Sequence, residues 1–195
     1  MHWLILLLAY ACGSIPTGFI VVWFTRRINI QTVGSGNIGS TNVGRVAGRK
    51  AALFTQAVDV LKGAIPTIIA IMWNRSHPTP YLVEAAALLA ILGHDFTPYL
   101  RFRGGKGVNT TLGAFIPIFP IAAGIGLLTH FIVRKTVRVV SVASFIAGVA
   151  FVVVAWLVYG WSSRLAALML AWVIMVWQHR SNIVRLLQGV EPREQ

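Results

Sequence analysis

Apolar residues in this chain come in runs of about 20, separated by short polar stretches, and neither a 3.6-residue stripe nor a two-residue alternation governs them. A bilayer core about 30 Å thick is crossed by about 20 helical residues at 1.5 Å each. Five runs have that length: residues 2–25, 51–73, 80–100, 139–160 and 162–184. A sixth region, 107–133, is too long for one untilted span and too short for two ordinary ones. Pro117 and Pro120 stand at its middle, and prolines three apart cannot continue a helix interior.

Basic residues decide how that region is threaded, because Lys and Arg collect in cytoplasmic loops. Fourteen of the 17 fall in four groups: Arg26, Arg27, Arg45, Arg49 and Lys50; Arg101, Arg103 and Lys106; Arg134, Lys135 and Arg138; Arg180, Arg185 and Arg193. For all four to share one side, 107–133 must cross twice or not at all. The pattern predicts an all-α polytopic membrane protein of seven transmembrane helices, including a short broken hairpin at 107–133. The N-terminus lies outside, the C-terminus is cytoplasmic, and residues 1–195 form a single transmembrane domain. The first span lacks the basic leader of a signal peptide and is expected to be retained.

Composition agrees with that class and removes others. AVILMFWYC residues make up 56% of the 195 and charged residues 11%, which excludes a soluble domain, a disordered chain and a secreted disulfide scaffold. Cys12 is the only cysteine, so disulfides, CxxC redox chemistry and thiolate clusters are out. The five carboxylates, Asp59, Glu84, Asp95, Glu191 and Glu194, are too few and scattered for a two-metal site or a glycosidase pair. A net charge of +12 points to phosphate groups, on lipid headgroups or on substrates.

Three polar clusters fall on the predicted cytoplasmic face, which argues for one site. The first, Gly34-Ser35-Gly36-Asn37-Ile38-Gly39-Ser40-Thr41-Asn42-Val43-Gly44-Arg45, contains GxGxxG, yet no strand precedes it and no βαβ unit is possible. Its glycines still let backbone N–H groups turn toward an anion, and Arg45 supplies a planar cation. The second, Arg101-Phe-Arg103-Gly104-Gly105-Lys106-Gly107, is not a Walker A loop, but a glycine-rich turn feeding a helix N-terminus is an anion site by dipole and N–H geometry. The third, from His179 through Asn182 to Arg185, closes the last span, with His179 and Asn182 at i and i+3. Inside the second span Asp59 and Lys62 are also i and i+3, and buried ionisable residues of that kind are paired or functional.

These clusters closely resemble the motifs of the acyl-phosphate:glycerol-3-phosphate acyltransferase family of bacterial inner membranes, the PlsY family. GSGNIGSTNVGR is similar to that family's first motif, with Ser40 where alanine is usual. GHDFTPYLRFRGGKGVNT is similar to the second, departing at Asp95, Thr97 and Asn109. HRSNIVRLLQGVE fits the third, and Asp59-Val-Leu-Lys62-Gly63 resembles a further DxxKG pattern. The resemblance implies transfer of a fatty acyl chain from acyl phosphate to the 1-hydroxyl of glycerol 3-phosphate, giving lysophosphatidic acid and phosphate.

The same resemblance implies the roles. Ser35, Gly36, Gly39, Thr41, Asn42 and Arg45, with Gly104, Gly105 and Lys106, would hold the acyl phosphate. Lys106, His179, Asn182 and Arg185 would hold glycerol 3-phosphate; Ser35, His179 and Asn182 would be nearest the chemistry. Asp59, Lys62 and Glu191 would be structural support. No metal, no other cofactor and no nucleic acid is implied, and the protein would work as a monomer in the bacterial inner membrane with its active site facing the cytoplasm. Either His179 or the donor's own phosphate could take the proton from the attacking hydroxyl. The competing class is a carrier or exporter for a phosphorylated metabolite, which predicts polar groups on both faces, whereas every cluster here lies on one. A scaffold subunit leaves the glycine-rich turns unexplained.

Overall fold

A computed structural model describes residues 2–193. Among them there are ten α-helices, two 3-10 turns and no strand. The chain divides into two compact units, the first ending at Ala114 and the second starting at Phe115. The first unit contains α1 (His2–Ser14), α2 (Thr17–Arg26), α3 (Ser40–Ala47), α4 (Arg49–Ser76), α5 (Leu82–Asp95) and most of α6 (Val108–Phe115). The second contains α7 (Pro120–Val137), α8 (Val140–Tyr159), α9 (Ser163–Gln178) and α10 (Arg180–Leu187). Three segments, His2–Arg26, Arg49–Ser76 and Val140–Tyr159, are long and apolar enough to cross a membrane, and α9 is a shorter apolar helix.

Packing inside each unit is inverted relative to a soluble protein. Large apolar side chains point outward, with Leu7 68% and Leu157 69% exposed, while Ala9, Ala86, Ala87, Ala90, Ala143, Ala155 and Ala171 line the interiors at 0%. Small residues let helix backbones approach closely, as membrane helices require. Thus α1 lies on α5 and α4, and a Cβ on Gly13 would run into the backbone of Ala90, as one on Gly93 would into that of Tyr10. In the second unit α7 packs along α8 after a tight turn at Arg138, whose φ of 59° is left-handed.

The 2–25 run is not one helix. Pro16 has no N–H, and the chain breaks between Ser14 and Thr17. The Ile15 carbonyl at the break accepts from the Thr17 N–H and from Lys62 Nζ of α4, each at 2.9 Å, and the same ammonium lies 2.8 Å from Asp59 Oδ1. Asp59 is 2% and Lys62 3% exposed. A buried lysine is tolerable because its charge is paired and its donors are used, and the pair thereby pins the broken first helix to α4. Pro66, by contrast, sits inside a continuous α4.

The other runs also divide. The 80–100 run ends its helix at Asp95, because Thr97, preceding Pro98, is extended, the conformation a following proline imposes. A 3-10 turn, Pro98–Leu100, follows, and Arg101 and Phe102 both take left-handed φ, 53° and 61°. Within 107–133 the two prolines do break the helix, but unequally. The 8 residues of α6 cover about 12 Å and the 18 of α7 about 27 Å at 1.5 Å per residue. The last run is α9 and α10, interrupted at His179.

Candidate active site

The loop before α3 is folded around one buried amide. Asn42, 1% exposed, accepts from the Ser35 N–H on Oδ1 at 3.0 Å and donates from Nδ2 to the carbonyls of Val33 at 3.1 Å and Asn37 at 3.0 Å. Asn37 in turn accepts from the Gly39 N–H at 2.9 Å. Gly34 has φ +60°, and a Cβ on it would run into the Asn42 amide; glycine is required there on both counts. Asn42, expected among the anion contacts, therefore spends its amide on shaping the turn. Ser35 and Arg45 are exposed. Gly39 is the extended residue before α3, so Ser40 and Thr41 open the helix with backbone N–H groups that have no acceptor within it.

The second cluster is anchored to the end of α5. Gly104 donates its N–H to the Asp95 carbonyl and Gly105 to the His94 carbonyl, each at 3.0 Å. A Cβ on Gly105 would run into the His94 ring, and His94 Nδ1 lies 3.8 Å from Asp59 Oδ1. His94 thus lies between the GGKG turn and the buried Asp59–Lys62 pair. α6 starts at Val108 directly behind that turn. Thr110 and Thr111, in its first turn, are 0% and 7% exposed, and their hydroxyls have no hydrogen-bond partner among the described residues.

These two clusters are joined. Gln31 Nε2 donates to the Arg103 carbonyl at 2.9 Å, and Asn109 Nδ2 donates to Ser40 Oγ at 3.2 Å. The second bond ties the first turn of α6 to the first turn of α3, so two positively polarised helix ends, with Lys106 and Arg45 on the connected segments, belong to one frame.

The third cluster is built within the second unit. His179, 4% exposed, sits at the break between α9 and α10, its Nδ1 2.8 Å from the Met175 carbonyl. A carbonyl can only accept, so Nδ1 carries the proton and the lone pair of the neutral ring is on Nε2. Phe145 meets the ring edge-on, centroids 5.2 Å apart. Glu191 gathers the rest: it accepts from Ser141 Oγ at 2.9 Å, from Asn182 Nδ2, and from Arg185 Nε at 2.7 Å. Burial alone would raise the Glu191 carboxyl pKa, but these three donors and the Arg185 charge outweigh it and hold the group below its ordinary value. Arg185 is held through Nε, and its side chain is 30% exposed.

Several of these groups carried no assignment in the sequence. Ser141 and the Met175 carbonyl have no local signal, being 50 and four residues from their partners. His94 stood inside a recognised motif, and Ser40 and Asn109 stood out only as departures from it.

An all-helical chain with many exposed large apolar side chains and three segments long enough to cross a bilayer has the build of an integral membrane protein. The sequence profile of the glycerol-3-phosphate acyltransferase family matches residues 3–189. A glycerol-3-phosphate acyltransferase of Clostridium acetobutylicum is 35% identical over 189 residues, 95% of this chain and 96% of that one. Two crystal forms of PlsY (YgiH), an integral membrane glycerol 3-phosphate acyltransferase, are similar over the full chain. The glycerol 3-phosphate form has a TM-score of 0.93 at 30% identity, covering 96% of that chain, and the lysophosphatidic acid form 0.89 at 31%, covering 95%. This chain belongs to the glycerol-3-phosphate acyltransferase family.

Proposed function

We propose that the protein transfers a fatty acyl group from acyl phosphate to the 1-hydroxyl of glycerol 3-phosphate, giving lysophosphatidic acid and inorganic phosphate. The observation that carries the donor assignment is the joined pair of turns. A mixed anhydride presents a phosphate beside its reacting carbonyl, and the backbone N–H groups that open α3 and α6, with the Ser35 and Thr41 hydroxyls, Arg45 and Lys106, are the donors such a group needs, while Gly36, Gly39, Asn42, Gly104 and Gly105 shape the turns that present them. Glycerol 3-phosphate is assigned to His179, Asn182 and Arg185, with Lys106 able to serve either phosphate. The bound forms of the PlsY relative, glycerol 3-phosphate and lysophosphatidic acid, are the acceptor and product of this reaction.

The attacking hydroxyl loses its proton as the O–C bond forms and the C–O bond to phosphate breaks. The phosphate released is itself basic near neutral pH, and it takes the proton while His179 and Asn182 hold the hydroxyl at attack distance. His179 is oriented by the neutral Met175 carbonyl, where a triad would use a carboxylate. Ser35 acts as a donor and forms no acyl-enzyme.

In this reading the chain works as a monomer in the bacterial inner membrane with seven spans, N-terminus outside and site cytoplasmic. The irregular segments flanking α6 complete its limb of the hairpin, which is tolerated where backbone is buried in protein. Arg45→Ala and Lys106→Ala each remove a charge-assisted contact of about 1.5–3 kcal/mol, so a roughly 10- to 150-fold loss in kcat/KM for acyl phosphate is expected, with full activity after chelation. Unchanged kinetics in both variants would overturn the donor assignment.

A further inference from the structure

Ser40 and Asn109 both depart from the family motifs, and the fold brings these two departures into contact. They are 69 residues apart, on the first turns of α3 and α6, and Asn109 Nδ2 donates to Ser40 Oγ at 3.2 Å. Both side chains are half-buried, so neither is sealed from a ligand. Because the amide donates to Oγ, the bond consumes a lone pair of the hydroxyl and not its proton. Among the described residues no acceptor takes that proton. It stands in the opening turn of a helix whose first backbone N–H groups also lack intrahelical acceptors. A neutral donor at that place strengthens anion binding without adding charge.

We propose that the Ser40 hydroxyl donates to the phosphate of the acyl donor and that Asn109 is the positioning residue that fixes the hydroxyl's direction, so that this chain carries one anion contact that alanine at position 40 would not supply. The inference rests on the assignment of the two turns to acyl phosphate. Asn109 acts only through Ser40 in this scheme, which separates it from a tie that merely holds α3 to α6. Such a tie would appear in thermal stability and in both substrates' KM values alike.

The test is a double-mutant cycle on the purified full chain, with phosphate release read at varied acyl phosphate and varied glycerol 3-phosphate. Turnover by the unmodified protein tests the underlying donor assignment by itself, and its absence with acyl phosphate ends both. Given turnover, Ser40→Ala should raise KM for acyl phosphate by about tenfold, the effect of one hydrogen bond to a charged group, and leave KM for glycerol 3-phosphate within about twofold. Asn109→Ala should raise the same constant by a smaller factor, add nothing in the Ser40→Ala background, and Ser40→Thr should recover most of the loss. Additive effects of the two alanines, equal shifts in both KM values, or a lowered Tm with unchanged KM would each overturn the proposal.

Discussion

Glu191 is the point at which the second unit's substrate groups are most open to perturbation. In Glu191→Gln the side chain keeps its shape. Its remaining oxygen can still accept from Ser141 and Asn182, which share Oε1. The new amide nitrogen replaces Oε2 and faces the Arg185 Nε–H, 2.7 Å away, donor against donor. One charge-assisted bond of about 1.5–3 kcal/mol is lost, and at about 1.4 kcal/mol per tenfold this corresponds to a 10- to 150-fold weaker hold on the anion that Arg185 serves. The loss should appear as a raised KM for glycerol 3-phosphate with KM for acyl phosphate unmoved. The pH dependence follows from the same bonds. A carboxyl whose pKa is depressed in the folded state contributes fully above its unfolded value of about 4.3 and ceases to as pH falls through the folded value. The ratio of variant to wild-type KM should therefore stay flat down to the ordinary carboxylate range of about 4.3 and approach one only as pH falls through the lower folded-state value. A variant with wild-type KM for glycerol 3-phosphate, or a shift confined to acyl phosphate, would refute the assignment of Arg185 and Asn182 to the acceptor.

Two further outcomes follow from the geometry. Lys62→Met leaves Asp59 a buried charge without its cation and removes one of the donors to the Ile15 carbonyl, a loss of about 3–5 kcal/mol. Tm in detergent should fall sharply, with partial recovery in Asp59→Leu/Lys62→Met; a wild-type Tm for the single variant would show that the pair does not pin the broken first helix. His179→Gln keeps a hydrogen-bonding side chain but no base, and its loss in kcat should stay well short of about 10⁴-fold, the upper range of general-base catalysis. A larger loss with substrate binding intact would make His179 the base.

What the sequence disclosed and what it concealed divide along physical lines. Glycine-rich turns feeding helix N-termini are local patterns, and the turns that precede α3 and α6 were legible in the sequence as turns. The Asp59–Lys62 pair was legible for the same reason, being one turn apart on one helix. Its second role was not: the Ile15 carbonyl that Lys62 satisfies is 47 residues away, and no spacing rule reaches that far. Asn42 read as one more polar donor in a polar loop; the three backbone groups that engage its amide are set by how the loop folds, which no spacing rule gives. The break within 107–133 was legible through Pro117 and Pro120. The unequal lengths of α6 and α7 were not, although Pro120 is well placed as the first residue of α7. His94 was passed over because its contact with Gly105 exists only once α5 and the turn are packed together.

The central claim is the identity of the donor. The most direct measurement supplies the purified protein, in detergent or bilayer, with glycerol 3-phosphate and either a synthetic acyl phosphate or the matching acyl thioester, recording inorganic phosphate and lysophosphatidic acid together. Acyl phosphate should give equal amounts of both products, undiminished by chelator, and the thioester neither. Lysophosphatidic acid formed as readily from the thioester, or phosphate released without acylated product, would contradict it.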